Sequence, residues 1–241
     1  MYLPKYPYKE LSRQTGADGK RLYQTPDGTR VPSVTTILAA TQPEEKKQAL
    51  NNWRKAVGVD RAKAITTDAA NRGTRMHKYL EDYIRNEELS PRGSNPFSFA
   101  SHAMANTIIE DGLKNINEVW GIEAALYYPG IYAGTTDGCG LHLTEAAIFD
   151  YKQTNKEKKL EYVTDYFLQL AAYAEAHNKM FDTDIKKGVV MMAVKPDVDK
   201  DTLEPLHRPK YQEFILEGAD FEYYRVEWWK RVEQYYLLNQ S

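Results

Sequence analysis

Near the middle of the chain an apolar run, Ala147-Ile148-Phe149, is broken by Asp150, Tyr151 and Lys152. In an extended strand, residues i and i+2 point to the same face, so Asp150 and Lys152 lie side by side at the end of a buried segment. Unpaired charge is costly to bury, so the pair requires a partner, a metal or a chemical task. Upstream, Asp137 ends a strand pattern rich in glycine (Gly130, Gly134, Gly138, Gly140), where backbone or ligand can approach closely. If 131–137 and 146–152 pair as a hairpin, Asp137 and Asp150 face each other across adjacent strands. Two such carboxylates repel unless a cation sits between them, and hard divalent cations prefer oxygen ligands of this kind. The Tyr151 carbonyl is a further oxygen between Asp150 and Lys152.

Two helical patterns add polar groups. Gly73, His77 and Glu81 recur at four-residue spacing and share one helix face, with Arg72, Arg75 and Lys78 around them; an imidazole beside carboxylates completes a metal site. Gln169 and Tyr173 share a face of the helix that follows the Asp–Lys strand. Each feature taken singly also has a structural reading. An Asp among glycines forms turns, a lone helical His is commonly structural, and Gln and Tyr border many apolar stripes.

The elements that position these residues read as follows. "YQTPDGTRVPS" is a hairpin around a Pro-Asp-Gly turn. "SVTTIL" after Pro32 is β-branched and reads as extended. Helices are expected over "TQPEEKKQALNNWRKAVG", ending at Gly58, over "DAANRGTRMHKYLEDYIRNEE", with Met76, Leu80 and Ile84 as its apolar positions, and over "SHAMANTIIEDGLKNI". Three strands, "EVWGIEAALYYP", "YAGTTDGCGLHL" and "AAIFDYK", form an antiparallel meander. The helix "LEYVTDYFLQLAAYAEAHNKMF", the doubly buried strand "GVVMMAVK", the strand "YQEFILEG" and the helix "FEYYRVEWWKRVEQYYLL" complete the chain. This order implies an α/β fold, a central mixed β-sheet flanked by helices. It reads as one domain over 1–241, with a hairpin and helical part over 1–118 and the sheet core with its flanking helices over 119–241.

The 241 residues suffice for a sizeable core. With 42% hydrophobic and 27% charged residues, the composition is that of a globular protein. No apolar run reaches the ~18 residues of a membrane helix, so no membrane partner is expected. "MYLPKYPYKELSRQ" lacks the apolar stretch of a secretion signal, which makes a cytoplasmic setting the expectation. The single cysteine, Cys139, excludes an internal disulfide and a four-cysteine iron–sulfur cluster. The net charge is -2, but residues 1–100 hold 17 Lys and Arg against 11 Asp and Glu, and the remaining 141 hold 15 against 23. A basic front beside an acidic back suits a phosphate-binding surface next to a cation site, but composition alone favours chance and ordinary surface charge.

In this order the motifs resemble those of the PD-(D/E)XK nuclease superfamily, in its RecB-type exonuclease branch: Gly73 with His77, then Asp137, then Asp150 with Lys152, then Gln169 with Tyr173. "RVPSVTTIL" is similar to the Pro-Ser-Val-Thr segment of the mitochondrial genome maintenance exonuclease subgroup and its phage relatives. The likeness runs over about 30–175. Gln153 stands where a Thr or Ser often follows the lysine, and the lone Cys139 excludes the branch's iron–sulfur members. The resemblance implies a restriction-endonuclease-like core and a metal-dependent exonuclease acting on single-stranded DNA ends in replication, recombination or repair, in a bacterial or phage-infected cell. Asp137, Asp150 and Lys152 would be catalytic. Mg²⁺ or Mn²⁺ would be held by His77, Asp137, Asp150 and the Tyr151 carbonyl, with Gly73, Glu123, Gln169 and Tyr173 in support. Ser33, Thr35, Arg72, Arg75 and Lys156 would contact DNA, with Lys158 and Lys159 beside Lys156 and with Trp53 or Tyr79 stacking bases. The rivals are a non-catalytic single-stranded nucleic-acid-binding module on the same fold, and a partner-binding α/β protein in which Asp150–Lys152 is a buried ion pair. Protein partners are not legible in the sequence.

Overall fold

The computed structural model describes residues 1–17 and 19–239. Three short strands, β1 (Ser12–Thr15), β2 (Arg21–Gln24) and β3 (Arg30–Pro32), form an antiparallel sheet. The expected hairpin is β2–β3, and its turn is closed by Asp27, which accepts from the Thr25 hydroxyl and the Thr29 N–H. β1 carries no apolar alternation and pairs along β2 with all four residues exposed, so its sequence gives no strand signal.

The β-branched segment expected to be extended is instead a helix, α1 (Val34–Ala40). Ser33 decides this: its hydroxyl accepts the Thr36 N–H and caps the first turn, and Val34 and Ile37 then gain burial against the core. Helix α2 (Glu44–Val57) stops at Gly58, as expected. The helix bearing His77, α3 (Val59–Asn86), begins nine residues earlier than its apolar pattern indicated, because its first two turns bury almost nothing beyond Ala62. α4 (Phe99–Asp111) starts two residues before the expected helix and ends five residues short of it. Gly112 there lies so close to Tyr211 and Met191 that a Cβ would stand 2.6 Å from the tyrosine oxygen.

The central sheet has five strands in chain order: β4 (Ile116–Tyr128), β5 (Tyr132–His142), β6 (Glu145–Thr154), β7 (Gly188–Val194) and β8 (Lys210–Leu216). β4–β5–β6 is the expected antiparallel meander. β6 and β7 run parallel across the crossover helix α5 (Thr164–Phe181), and β8 returns antiparallel to β7. β7 is buried along its whole length, the signature of a strand covered on both faces. One face packs against α1, α5 and the last helix, α6 (Gly218–Leu238), through Ile148, Leu170, Val190 and Trp228. The other packs against α3 and α4 through Met76, Leu80, Ile84, Met104, Ile108 and Phe149. Among the described residues no helix is long and apolar enough to cross a membrane.

The register between β5 and β6 positions everything that follows. Pairing runs from His142↔Glu145 to Gly138↔Phe149 and stops there. Beyond that rung β5 pairs only with β4, and β6 only with β7. The edge of β5 that β6 leaves is taken by the small sheet: Ser33 bridges Ala133, and the Tyr23 hydroxyl meets Thr135 Oγ1 at 3.3 Å.

His177 on α5 is a second buried polar anchor, 2.9 Å from the Tyr8 hydroxyl and 2.8 Å from Thr183 Oγ1. Burial first, and the charge of Lys5 second, push its pKa down to about 4. The unfolded chain binds this proton near the ordinary value of 6.5 and the folded one only near 4. The contribution is therefore complete above pH 6.5 and is lost as the pH falls toward 4. The stability advantage of the wild type over His177→Gln should shrink by about 1–2 kcal/mol between pH 7 and pH 5 in urea titrations. An advantage independent of pH would exclude this linkage.

Candidate metal and phosphodiester site

The fork between β5 and β6 opens at Asp137 and Asp150, the pair of residues directly after the last rung. Asp137 Oδ2 accepts the main-chain N–H of Tyr151 at 2.6 Å, taking a donor that regular pairing would have given to a carbonyl. Its other oxygen lies 3.6 Å from His77 Nδ1. Asp150 is buried; one oxygen meets Lys152 Nζ at 2.5 Å and the other, Oδ2, has no hydrogen-bond partner. Lys152 also lies 5.2 Å from the centre of the Tyr166 ring.

His77 reaches the fork from α3. Met76, Leu80 and Ile84, all fully buried, fix the helix against the sheet and so fix the direction in which the ring points. Removing one of them, as in Leu80→Ala, would cost roughly 2–5 kcal/mol and loosen that aim. His77 Nε2 stands 2.9 Å from the Tyr151 carbonyl oxygen. Donation of Nε2–H to that carbonyl leaves the Nδ1 lone pair facing the carboxylates, the arrangement of a metal-ligating histidine. The Tyr151 carbonyl thus orients His77.

Glu123 comes from β4 with φ +47, a left-handed conformation in the middle of a strand. Its neighbours pair regularly, Ile122 with Gly138 and Ala124 with Thr136, while Glu123 itself is skipped. The turn of the backbone brings its carboxylate 4.0 Å from His77 Nδ1. A non-glycine residue held this way costs of order 1–3 kcal/mol, a cost typical of functional sites. His77, Glu123 and Asp137 each offer a ligand atom within 4.8 Å of the others.

The charges do not balance. Glu123 and Asp137 gather at His77, Asp150 lies near enough to feel the charge of Asp137, and Lys152 compensates Asp150. With His77 neutral, the form that ligates a cation, two negative charges remain, the charge of one divalent ion; protonation of His77 would offset one of them. Burial and then the nearby Asp137, set against the pull of Lys152, hold the Asp150 carboxyl up at about 6. Burial opposes the charged forms of His77 and Lys152, yet the surrounding carboxylates outweigh it and raise both pKa values. Lys152 therefore stays an ammonium. An orphaned buried oxygen, an oxygen-rich donor set and a charge deficit of two all fit Mg²⁺ or Mn²⁺, and the imidazole suits Mn²⁺ in particular.

Tyr173 is buried behind the site, against Gly134, where a Cβ would stand 2.7 Å from the ring, and it receives the Gln169 amide at 3.4 Å. This pair backs the fork. Gly73 leaves ordinary room, since a Cβ there would meet Gln153 at 3.7 Å. Ser33 is spent capping α1, and exposed Thr35 bonds it at 3.0 Å. Arg72 is buried and saturated by Asp68, Gln153 and Asn155. Tyr79 bonds the Arg92 carbonyl and packs edge-on to His102. Trp53 is half-buried on α2, whose residues include none that are fully buried. Lys156 is exposed in the loop after β6, and that loop is tied to β8 through Gln212 and Lys158. Arg75 lies on the flank of α3 away from His77.

No protein-family profile and no curated protein matches this chain. Among solved structures it is similar to a Eubacterium rectale protein provisionally named an exonuclease. That match is 16% identical, with a TM-score of 0.49, and covers 69% of this chain and 64% of the other.

In metal-free buffer, Glu123→Gln should melt above the wild type, because it removes one of three repelling carboxylates. Adding Mn²⁺ to about 100 times its Kd should raise the wild-type Tm by roughly 5–10 °C and leave the variant nearly unmoved. Equal metal shifts in scanning fluorimetry would place the ion elsewhere.

Proposed function

We propose that this protein is a divalent-metal-dependent deoxyribonuclease that removes nucleotides from the ends of single-stranded DNA. The observation that carries the proposal is the gathering of His77, Glu123 and Asp137 within 4.8 Å of one another, next to the buried Asp150 that fixes the Lys152 ammonium. A phosphodiester is anionic, so a site that cuts it must offset charge and bring water into line. Mg²⁺ or Mn²⁺ held by His77, Glu123 and Asp137 would supply positive charge against the phosphate and acidify the adjacent water.

The chain's own residues perform the rest. Lys152, held charged by Asp150 and Asp137, donates hydrogen bonds to the attacking water or to the phosphoryl oxygens as charge builds on them. Asp150 fixes the ammonium at the mouth of the fork, and its buried position excludes competing water. Tyr151 contributes its carbonyl, which holds His77 in one tautomer, and its N–H, which holds Asp137 in one rotamer. Tyr173 and Gln169 brace β5 from behind through Gly134. The order of motifs along the chain and the mixed five-stranded sheet support assignment to the RecB-type branch of the PD-(D/E)XK nucleases.

The test is cleavage of end-labelled linear and circular single-stranded DNA with Mg²⁺, Mn²⁺ or EDTA. Metal-dependent loss of linear strands with circles spared is the expected outcome. Cleaved circles would make the protein an endonuclease, and binding without any cleavage would make it a non-catalytic module. Lys152→Ala should lower the cleavage rate at least a thousandfold (roughly 4 kcal/mol at the transition state) and keep the wild-type circular dichroism spectrum. A folded Lys152→Ala variant of wild-type rate would remove lysine from the mechanism.

A further inference from the structure

On the other flank of α3 from His77 lies a second concave site. Residues advance ~100° each around a helix, so Arg75 points about 200° from His77. There it lines a cavity of about 140 Å³ with Asp68, Arg72, Pro96, Phe97, Lys195 and Leu203. At ~30 Å³ per water this holds several waters, room for a phosphate group.

The walls of this cavity are built and tied together. Its floor is Arg72, held by three hydrogen bonds to Asp68, Gln153 and Asn155. The loop before α4 is joined to the excursion after β7 by the two-pronged Arg92–Glu204 pair, at 2.5 and 2.8 Å. The Ser98 hydroxyl closes the same loop onto the Arg92 carbonyl. Lys195 is anchored through its main-chain N–H to the Thr154 carbonyl at the end of β6.

Its charge is not satisfied from within. Asp68 is committed to Arg72. Arg75 has a single long contact, 3.5 Å to Ser101 Oγ, and neither Arg75 nor Lys195 pairs with a carboxylate among the described residues. Two half-buried cations therefore share a small cavity whose one lining carboxylate among the described residues, Asp68, is paired with Arg72. At its rim Phe97 is 65% exposed, a large ring left in solvent at the junction with a wider groove along α3 that Lys63, Thr67, Asn71 and Asn95 line. Cations set for one phosphate beside an exposed aromatic ring match the chemistry of one nucleotide unit in an unpaired strand.

We propose that this cavity is a phosphate subsite for single-stranded nucleic acid: Arg75 and Lys195 take a backbone phosphate and Phe97 stacks the adjoining base. The strand is thereby held at a point separated from the fork by the body of α3. This rests on the nucleic-acid part of the proposed function, and not on cleavage.

The experiment is fluorescence anisotropy of a fluorescein-labelled oligothymidylate in EDTA, over a series of salt concentrations. Arg75→Gln/Lys195→Gln should raise Kd about tenfold and reduce the slope of log Kd against log salt by about 1, since one phosphate contact in a single strand accounts for ~0.7. Phe97→Ala should raise Kd severalfold with the slope unchanged. The exposed pair Lys186→Gln/Lys230→Gln, far from the cavity, controls for loss of net charge, and Lys195→Arg should restore binding to Arg75-intact protein. Melting curves establish that each variant is folded. Unchanged Kd and slope in the double variant would overturn the proposal. So would displacement of inorganic phosphate by these substitutions without any effect on the oligonucleotide, which would make the cavity a free-anion site. Cavity-dependent binding in a protein that cleaves nothing would overturn the nuclease reading and leave the subsite standing.

Discussion

The hydrogen bond from the Tyr151 N–H to Asp137 Oδ2 is the constraint on which the site depends. A sheet satisfies its main-chain groups strand to strand, and any place where two neighbours part company leaves donors to be satisfied by other means. Here the means is a carboxylate. Asp137 closes the ladder at the point where β5 and β6 separate, and in doing so it is held in one rotamer with its second oxygen directed at His77. The same separation frees the edge of β5 for Ser33 and the small sheet, and it leaves room between the strands for Asp150 and Lys152 to face a ligand. One side chain thus terminates the pairing, opens the fork and lines it.

Three carboxylates so close together work against folding, and the structure offsets this only in part. Lys152 neutralises one charge, and the burial of Asp150 raises its carboxyl into the range where it shares its proton with solvent near pH 6. Glu123 adds backbone strain to the repulsion, because its carboxylate reaches the cluster only from a left-handed conformation. A protein under selection for stability alone would relieve both. A single divalent ion would cancel the excess charge and use the strained ligand.

Much of this was legible in the sequence, and the limits have physical causes. The placing of Asp137 opposite Asp150 follows from the two-residue period of strands and a turn short enough to fix the register, although the expected pairing of 131–137 with 146–152 is replaced by a ladder that ends at Gly138 and Phe149. The dependence of His77 on a helix face was readable for the same reason, a period. Glu123 was expected only in support of the site and not beside His77, because alternation along β4 cannot foretell a residue whose φ changes sign. Ser33 looked like a strand residue since β-branched neighbours favour extension, and the capping bond that makes α1 a helix depends on its orientation in space. Arg72 and Arg75 looked alike in a basic stretch. Only the packing of α3 distinguishes them, burying the first as a strut and turning the second away from the fork to a separate cavity.

The most direct measurement is a crystal structure grown with Mn²⁺ and read by anomalous scattering. The expected result is a peak in the fork within about 2–2.5 Å of His77 Nδ1 and of oxygens from Glu123 and Asp137. A fork free of anomalous signal at saturating Mn²⁺, with the three carboxylates turned away from one another, would contradict the reading of this cluster as a cation site and with it the proposed chemistry.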